Sequence, residues 1–580
     1  MLPLTDADIL ENFPHDMTPR EGQLECIRFI LDSFLNKNKR YVVAECPTGS
    51  GKSVIGMTIS RFFAKSYYLT IQKFLQSQII NDFCGDSTHG LDDRTIIDLK
   101  GRSAYKCTFY ENFGDSAVKR KGMFQKELDK QLANPSNCDK GYCRRKDKSR
   151  KSALCFPNGL FDFLASTCPY YNQIGKATTS DTLVMNYSSF LYQTSMARRF
   201  SQRDLMIVDE SHQSEPQLLD FISISIDDKR LRRFDYKLQE LELPQDYWIS
   251  FLENDIKAKV QAIADQAEEN DDLEIADEYN SLVHKLDSFY KSMEDEEEWV
   301  VEYKASDKYN TVVLKPVFVH SKSHKLLLNH GLNVLFMSAT ILDVNMFCYS
   351  LGVPRAQVAA YRMKNRFPVK NRPIIIDSAA KIVGGNAKMG EWGPKLVAKA
   401  DEILDRYKNQ RGIIHTHNFA IADLLMNRSR HRSRLLYQKN FATKELMLKR
   451  HGDSTNTLIV APAMHEGLDL IGDLSRIQLI CKVPWPNFVD NKQLERRLQI
   501  DRRYYIWLTA LKLIQSAGRS IRSETDWAHT YVLDAGFEKF ISDASSMIPS
   551  WFKESIEYGE KFKSEIQEIQ SKPIEDDIPF

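Results

Sequence analysis

Residues 41–60 read YVVAECPTGSGKSVIGMTIS, and this stretch decides the fold. It begins with an apolar run of strand length, continues through a Gly/Ser/Pro turn and ends in the start of a helix. Four more apolar strands follow at LMIVDESH (205–212), LNVLFMSATI (332–341), GIIHTH (412–417) and TLIVA (457–461). Apolar strands that alternate with helical stretches are typical of parallel sheets, so we predict an α/β chain with two of them.

The composition is that of an ordinary soluble globular protein. Of 580 residues, 42% are hydrophobic and 27% are charged, which excludes a disordered chain, a collagen and a small disulfide scaffold. The chain has no apolar run of about 18 residues and no signal-peptide pattern, so we expect neither a membrane span nor secretion. We expect it in the cytoplasm, the nucleoid or the nucleus. Because the net charge is only +1, any nucleic-acid surface must come from local patches.

The turn at residues 46–53 (CPTGSGKS) has the context of a phosphate loop, since it follows a strand and opens a helix. Its glycines let successive backbone N–H groups approach phosphates. Lys52 would reach the β and γ phosphates of ATP, and Ser53 would hold Mg²⁺. Cys46 replaces the first glycine of the general pattern. The predicted nucleotide-binding residues of this loop are Pro47, Thr48, Gly49, Ser50, Gly51, Lys52 and Ser53.

An acidic pair ends the second strand, where Asp209 and Glu210 follow the apolar run LMIV. Asp209 is predicted to coordinate Mg²⁺, and Glu210 is predicted to be the general base for the attacking water. Such a pair is by itself most often a turn, but the upstream phosphate loop favours catalysis. His212 completes the sequence Asp-Glu-Ser-His and is predicted to couple the nucleotide state to a second domain.

Residues 515–522 (QSAGRSIR) carry the cations that ATP hydrolysis needs opposite the γ-phosphate. Arg519 and Arg522, three residues apart in a predicted helix, could both face that phosphate. We predict that Arg522 is the arginine finger, Arg519 its partner and Gln515 the sensor of the γ-phosphate. Taken alone, the segment is more often a basic amphipathic helix, and the other motifs favour the catalytic interpretation.

Together these motifs resemble superfamily 2 helicases. Arg20-x-x-Gln23 resembles the adenine-reading Q motif, and Ser338-Ala339-Thr340 matches motif III. Residues 466–469 (EGLD) match motif V and implicate Gly467 and Asp469 in nucleotide binding, whereas residues 515–522 match motif VI. Leu69-Thr70-x-Gln72 and Leu75-Gln76 resemble motif Ia, whose polar groups contact backbone phosphates.

More narrowly, the chain resembles the XPD/DinG branch, the iron–sulfur DNA helicases. Three further stretches carry this resemblance: GRSAYKC (101–107), CPYY (168–171) with Asn186-Tyr187 after it, and KVPWP (482–486). The likeness runs from about residue 18 to 537. It departs at Ser211, where the family usually has alanine.

Five of the ten cysteines lie between residues 107 and 168, namely Cys107, Cys138, Cys143, Cys155 and Cys168. Four thiolates can hold a [4Fe–4S] cluster or a zinc ion, and the spacing alone leaves both open. The resemblance implies a [4Fe–4S] cluster with Cys107 and Cys168 as the firm pair. For the other two ligands we favour Cys143 and Cys155, with Cys138 as the substitute.

The resemblance implies two RecA-like motor domains, with an iron–sulfur insertion and a helical arch-like insertion in the first. Residues 101–172 carry the cysteines and basic runs, and residues 225–305 are helical in pattern and acidic. The predicted segments are motor domain 1 at 1–100, 173–224 and 306–345, the iron–sulfur insertion at 101–172, the arch-like insertion at 225–305 and motor domain 2 at 346–580.

The function implied is that of an ATP- and Mg²⁺-dependent DNA helicase, used for instance in DNA repair. It would move 5′ to 3′ along single-stranded DNA as a monomer and open forked duplexes, although no residue by itself shows the direction. One rival is an ATPase or translocase stimulated by single-stranded DNA that unwinds poorly. Another is a metal-containing DNA-binding assembly subunit with ATP as a switch, against which the complete set of motor residues argues.

Overall fold

The computed structural model describes most of the chain outside the cysteine-rich region and the C-terminal tail. The described residues are 4–71, 73–84, 94–108, 137–139, 168–227, 229, 247, 250–270, 273–294, 297–304, 310–383, 388–462, 470, 472–488, 491–518, 520–521 and 525–559.

Two parallel sheets of seven strands each organise the described residues, which confirms the predicted fold class of two RecA-like motor domains. The strands are β1 (Tyr41–Glu45), β2 (Ser66–Thr70), β3 (Ile96–Leu99), β4 (Thr182–Asn186), β5 (Arg203–Val208), β6 (Ile224–Asp227), β7 (Trp299–Lys304), β8 (Thr311–Pro316), β9 (Gly331–Ser338), β10 (Val358–Arg362), β11 (Ile374–Ala380), β12 (Gly412–His415), β13 (Leu435–Tyr437), β14 (Leu458–Ala461), β15 (Ile477–Ile480), β16 (His529–Asp534) and β17 (Ile556–Tyr558). The first lobe contains the sheet β10-β1-β9-β5-β2-β4-β3, and the second lobe contains β13-β14-β12-β15-β16-β11-β17.

Helices cover both faces of these sheets. They are α1 (Asp6–Glu11), α2 (Gln23–Leu35), α3 (Lys52–Ser60), α4 (Lys73–Phe83), α5 (Pro169–Thr179), α6 (Tyr187–Leu191), α7 (Ser214–Ile222), α8 (Lys257–Glu269), α9 (Leu273–Glu294), α10 (His320–Leu326), α11 (Val344–Leu351), α12 (Met389–Arg406), α13 (Phe419–Arg428), α14 (Lys444–Gly452), α15 (Lys492–Ile500), α16 (Arg502–Ala517), α17 (Phe537–Asp543) and α18 (Ser550–Lys553). Among the described ranges, no helix combines the length and apolarity that a membrane crossing requires.

Burial explains why the strands read as continuous apolar runs. All five residues of β1 and all five of β4 are buried, because helices pack against both faces of the sheet. One hydrophobic core lies between α2, α3 and the sheet, and a second lies on the opposite face. That second core continues into the second lobe through Trp507 and Leu513 of α16, so the two lobes share buried apolar surface.

The first lobe reaches further along the chain than the boundary placed at residue 345. Strand β10 pairs in parallel with β1, with Val358 opposite Tyr41 and Arg362 opposite Glu45. It is therefore an edge strand of the first sheet. The sequence signal was weak because β10 is half exposed at this edge and lacks a continuous apolar run.

The segment around residues 225–305 combines strands and helices. Strands β6, β8 and β7 form an antiparallel sheet beside the first lobe, and α8 packs against α9. Helix α15 of the second lobe contacts β7 of this small sheet. The predicted helical arch-like insertion is thus anchored by strands that face the second lobe.

Candidate nucleotide site between the two lobes

The phosphate loop connects the end of β1 to the start of α3. Gly49 and Gly51 have φ angles of 80° and 77°, a left-handed conformation that only glycine adopts without strain. A Cβ atom on Gly51 would also lie 2.4 Å from Nε2 of Gln23. The two glycines therefore let the loop curl over the start of α3, which exposes backbone N–H groups to an anion.

Arg20 and Gln23 stabilise this loop through hydrogen bonds to its backbone carbonyls. The Gln23 side-chain amide donates to the Ser50 carbonyl over 2.8 Å and accepts from the Arg20 backbone N–H over 2.7 Å. The Arg20 guanidinium donates to the Gly49 carbonyl. Both ends of the Gln23 amide thus bind protein, so adenine reading by this motif stays a prediction.

Asp209 and Glu210 lie opposite the loop, at the end of β5. Lys52 Nζ lies 3.5 Å from Glu210 Oε1. Asp209 is buried, and its Oδ2 accepts from the Tyr68 hydroxyl over 3.3 Å. Burial and the neighbouring Glu210 charge raise the pKa of Asp209 to about 6, although Lys52 opposes the rise. Burial makes the ionised form of this carboxylate unfavourable, and a bound cation would stabilise that form.

Glu210 has a φ of 47°, which is rare for a residue with a side chain. Its backbone N–H donates to Asp209 Oδ1 over 2.9 Å, which stabilises the turn. This backbone turns the chain sharply after the strand. Strain of this kind at the end of a strand is typical of a functional site.

A chain of polar contacts runs from the acidic pair to the second lobe. His212 Nδ1 lies 3.5 Å from Glu210 Oε2 and 2.8 Å from Ser338 Oγ. Ser338 Oγ accepts from the Thr340 N–H over 3.1 Å, and Thr340 Oγ1 accepts from Gln515 Nε2 over 3.0 Å. His212, predicted to couple the nucleotide state to the second domain, is therefore connected through motif III to Gln515, the predicted sensor of the γ-phosphate.

A second polar contact joins the lobes in the protein interior. Glu215, three residues after His212, accepts from Arg497 over 2.7 Å and from the Tyr504 hydroxyl over 2.8 Å. The Arg497 guanidinium also lies 3.8 Å from the centre of the Tyr504 ring. Burial raises the pKa of Glu215, and Arg497 and Tyr504 offset part of that rise. Helix α7 is thereby fixed to α15 and α16.

The sequence analysis did not identify Glu215, Arg497, Tyr504 or Tyr68 as functional residues. Tyr68 reads as part of an apolar strand, and Arg497 lies in a basic helix with no functional pattern. Gln76 of the predicted motif Ia is buried and bonds to Leu99, Val184 and Asn186, so it braces the first lobe.

A cavity of 390 Å³ extends from the phosphate loop between the lobes. Its first-lobe wall includes Lys52, Glu210 and Phe74, and its second-lobe wall includes Gln515 and Trp551. Predicted catalytic groups of both lobes thus face one space.

Three of the five clustered cysteines are described. Cys138 Sγ lies 4.0 Å from Cys168 Sγ, and Cys107 is buried in the same core. Lys106 and Asn137, the sequence neighbours of Cys107 and Cys138, form a β-bridge. The two segments that carry these cysteines therefore lie side by side. Cys168 caps α5, and contact with the Cys138 thiol together with N–H groups of that helix lowers its pKa to about 6. Among the described residues, no group of three metal-ligating side chains is assembled.

Several predicted site residues lie outside the described residues. They are Gln72, Cys143, Cys155, Gly467, Asp469, Arg519 and Arg522. Helix α16 ends at Ala517, and its last turn carries Gln515.

Two family profiles and one curated relative match the chain. The profiles are "Type III restriction enzyme, res subunit" over residues 16–232 and "Helicase C-terminal domain" over residues 406–555. The relative, named "Probable ATP-dependent helicase" and found in Methanocaldococcus jannaschii, is 26% identical over 226 residues. The match covers 38% of this chain and 32% of the relative, about a third of the relative's length.

Three solved structures share the fold over most of the chain. An XPD helicase has a TM-score of 0.59 at 15% identity and covers 93% of this chain and 100% of its own. An apo XPD has a TM-score of 0.54 at 13% identity, with coverages of 91% and 98%. Xpd4 of S. tokodaii has a TM-score of 0.51 at 12% identity, with coverages of 93% and 100%. Identities this low establish the fold alone.

The two matched profiles fall on the two lobes, the first on the lobe with the phosphate loop and the second on the lobe with Gln515. The fold that joins the two lobes is the one seen in the XPD structures.

Proposed function

We propose that the chain is an ATP-driven helicase that moves 5′ to 3′ along single-stranded DNA and unwinds forked duplexes. The observation that carries the proposal is the meeting of both lobes at one nucleotide site. Lys52 and Glu210 lie 3.5 Å apart on the first lobe, and Gln515 of the second lobe reaches the same cavity through Thr340.

The residues divide the chemistry of ATP hydrolysis among them. The backbone of residues 47–53 and Lys52 bind the β and γ phosphates, and Glu210 accepts the proton of the attacking water. Gln515 moves with the second lobe. Its bond to Thr340 transmits that movement, through Ser338 and His212, to Glu210. Arg519 and Arg522 would complete the charge around the γ-phosphate.

Ser53 and Asp209 fit a magnesium site. Asp209 offers a buried carboxylate, and the Tyr68 hydroxyl bonds both Asp209 and Ser53, which keeps the two side chains together. When bound, Mg²⁺ would neutralise charge on the phosphates.

A [4Fe–4S] cluster belongs to the proposal as well. Cys168 is favoured as a thiolate, the form that binds iron, and its contact with Cys138 makes Cys138 a stronger ligand candidate than its spacing indicated. We propose Cys107, Cys138 and Cys168 as ligands, with Cys143 or Cys155 as the fourth.

DNA-stimulated ATP hydrolysis tests the motor. Wild-type protein should hydrolyse ATP with Mg²⁺, faster with single-stranded DNA, whereas Lys52→Ala should lose turnover and still bind the strand. Unchanged hydrolysis by Lys52→Ala would refute the phosphate-loop assignment.

The cluster has its own test in iron and sulfide analysis of anaerobically purified protein. We expect about four irons per chain, with loss of visible absorbance in Cys138→Ser. Cys348→Ser, at a buried cysteine outside the cluster region, is the matched control. Full iron content in Cys138→Ser would show that Cys138 is not a ligand of the cluster.

A further inference from the structure

Phe74 is the most exposed large apolar side chain in the described part of the chain, at 73%. It lies in the first turn of α4, at the carboxyl end of β2. An isolated exposed phenylalanine needs no explanation, but Phe74 lines the cavity between the lobes. A large aromatic side chain left in water inside a cleft is a candidate ligand contact.

The surroundings of Phe74 are cationic and aromatic. Lys73 beside it is exposed, and Lys100 Nζ donates over 2.9 Å to Ser77, one turn further along α4. Across the cavity, the Arg372 guanidinium lies 5.5 Å from the ring centre of Trp551. Asp98 pairs with Lys100 at 3.3 Å and offsets one of these charges. Arg372 is also engaged, since it donates to the carbonyls of Phe367 and Trp551 and to the Ser555 hydroxyl. An exposed aromatic ring next to the exposed Lys73 combines base stacking with phosphate contact, as single-stranded nucleic acid sites do.

The strand order separates Phe74 from the phosphate loop, whereas Glu210 follows β5, the direct neighbour of β2. The γ-phosphate end of ATP would therefore lie toward Phe74, and the base would lie on the far side of the loop. Strands β9 and β5 lie between β1, which carries the phosphate loop, and β2, which leads to Phe74. Three strand spacings correspond to about 14 Å. Helix α2, which carries Gln23, packs against β1 and β10 on the other side of the loop. A nucleobase at Phe74 would therefore belong to a bound strand rather than to ATP.

We infer that Phe74 is a base-stacking residue for single-stranded nucleic acid in the cleft between the lobes. The inference rests on the proposed translocation along a single strand and adds a residue that contacts its bases. A ring on one lobe facing a second lobe can hold a base in one arrangement of the lobes and release it in another.

The test compares a fluorescent thymidine 20-mer containing 2-aminopurine with an abasic strand of equal length, each binding to full-length protein. Phe74→Ala should weaken binding of the normal strand about tenfold and leave binding of the abasic strand unchanged. Phe74→Trp should retain affinity and the quenching of 2-aminopurine, whereas Phe74→Leu should lose both. Because the side chain is exposed, these substitutions remove little buried surface.

Leu332→Ala is the matched control, since Leu332 is 52% exposed at the amino end of β9 and does not line the cavity. Equal loss on both strands, or no loss on either, would overturn the inference and leave the proposed function standing. A raised half-saturating ATP concentration in Phe74→Ala without any strand, with base-dependent binding intact, would assign the ring to ATP and also overturn it. Wild-type protein that bound neither strand would refute the proposed function itself.

Discussion

Arg497 of α15 donates a hydrogen bond to Glu215 of α7 over 2.7 Å, and both side chains are almost completely buried between the two lobes. Glu215 lies in the first turn of the helix that follows the Asp-Glu-Ser-His sequence, and α15 precedes the helix that carries Gln515. The contact therefore links the segments that bear catalytic groups of each lobe, away from the nucleotide itself.

Breaking this pair should destabilise the protein strongly. Arg497→Met leaves the Glu215 carboxylate buried without its charged partner, and we expect a loss of roughly 3–5 kcal/mol in unfolding free energy. Adding Glu215→Gln should restore much of that loss, because the amide carries no charge. Urea unfolding of the two single variants and the double variant measures the coupling, and additive losses would contradict it.

The bond between Gln515 and Thr340 should matter for turnover more than for ATP binding. Thr340→Val keeps the shape of the side chain and removes the hydroxyl that accepts from Gln515. We expect kcat to fall roughly tenfold with little change in KM, because the bond joins the two lobes and does not involve the loop that binds the phosphates. Gln515→Ala should behave alike, and the double variant should lose no more than either single one. Independent losses would show that the two residues act separately.

Asp209→Asn should stabilise the protein in the absence of metal and nucleotide while it abolishes hydrolysis. The pKa of Asp209 is raised to about 6 from an ordinary 3.8, so the folded state binds this proton more tightly than the unfolded state. The ionised carboxylate therefore opposes folding above pH 6, and stability rises as the pH falls through 6. We expect Asn to add roughly 2–3 kcal/mol at pH 8 and little near pH 4. Unfolding curves at both pH values measure this, and a pH-independent difference would contradict the stated cause.

Gln23→Ala should weaken ATP binding through the loop. The substitution removes the bonds to the Ser50 carbonyl and the Arg20 N–H, so the loop loses its outer support. We expect the half-saturating ATP concentration to rise roughly tenfold with GTP affected equally. A loss confined to ATP would instead support adenine reading by Gln23.

The sequence was most informative where a structural or chemical requirement can be met by one residue type only. The phosphate loop and the acidic pair could be located because a strand, two glycines, a lysine and a terminal carboxylate must occur in that order. The parallel sheets followed from continuous apolar runs, since both faces of each sheet are covered.

Contacts between distant segments could not be predicted in this way. Tyr68 reads as one more apolar residue of β2, and only the fold brings its hydroxyl to Asp209. Glu215 and Arg497 are 282 positions apart and carry no local pattern. Strand β10 was not predicted, because an edge strand is partly exposed and its apolar run is therefore interrupted.

Strand displacement by anaerobically purified protein with ATP and Mg²⁺ tests the proposed motor most directly, with 5′-tailed and 3′-tailed duplexes compared and Lys52→Ala as the control. The two-lobe nucleotide site predicts ATP-dependent displacement that Lys52→Ala loses, and the proposed direction predicts it from the 5′ tail alone. Displacement from the 3′ tail would contradict the direction, and no ATP-dependent displacement from either duplex would contradict the helicase assignment.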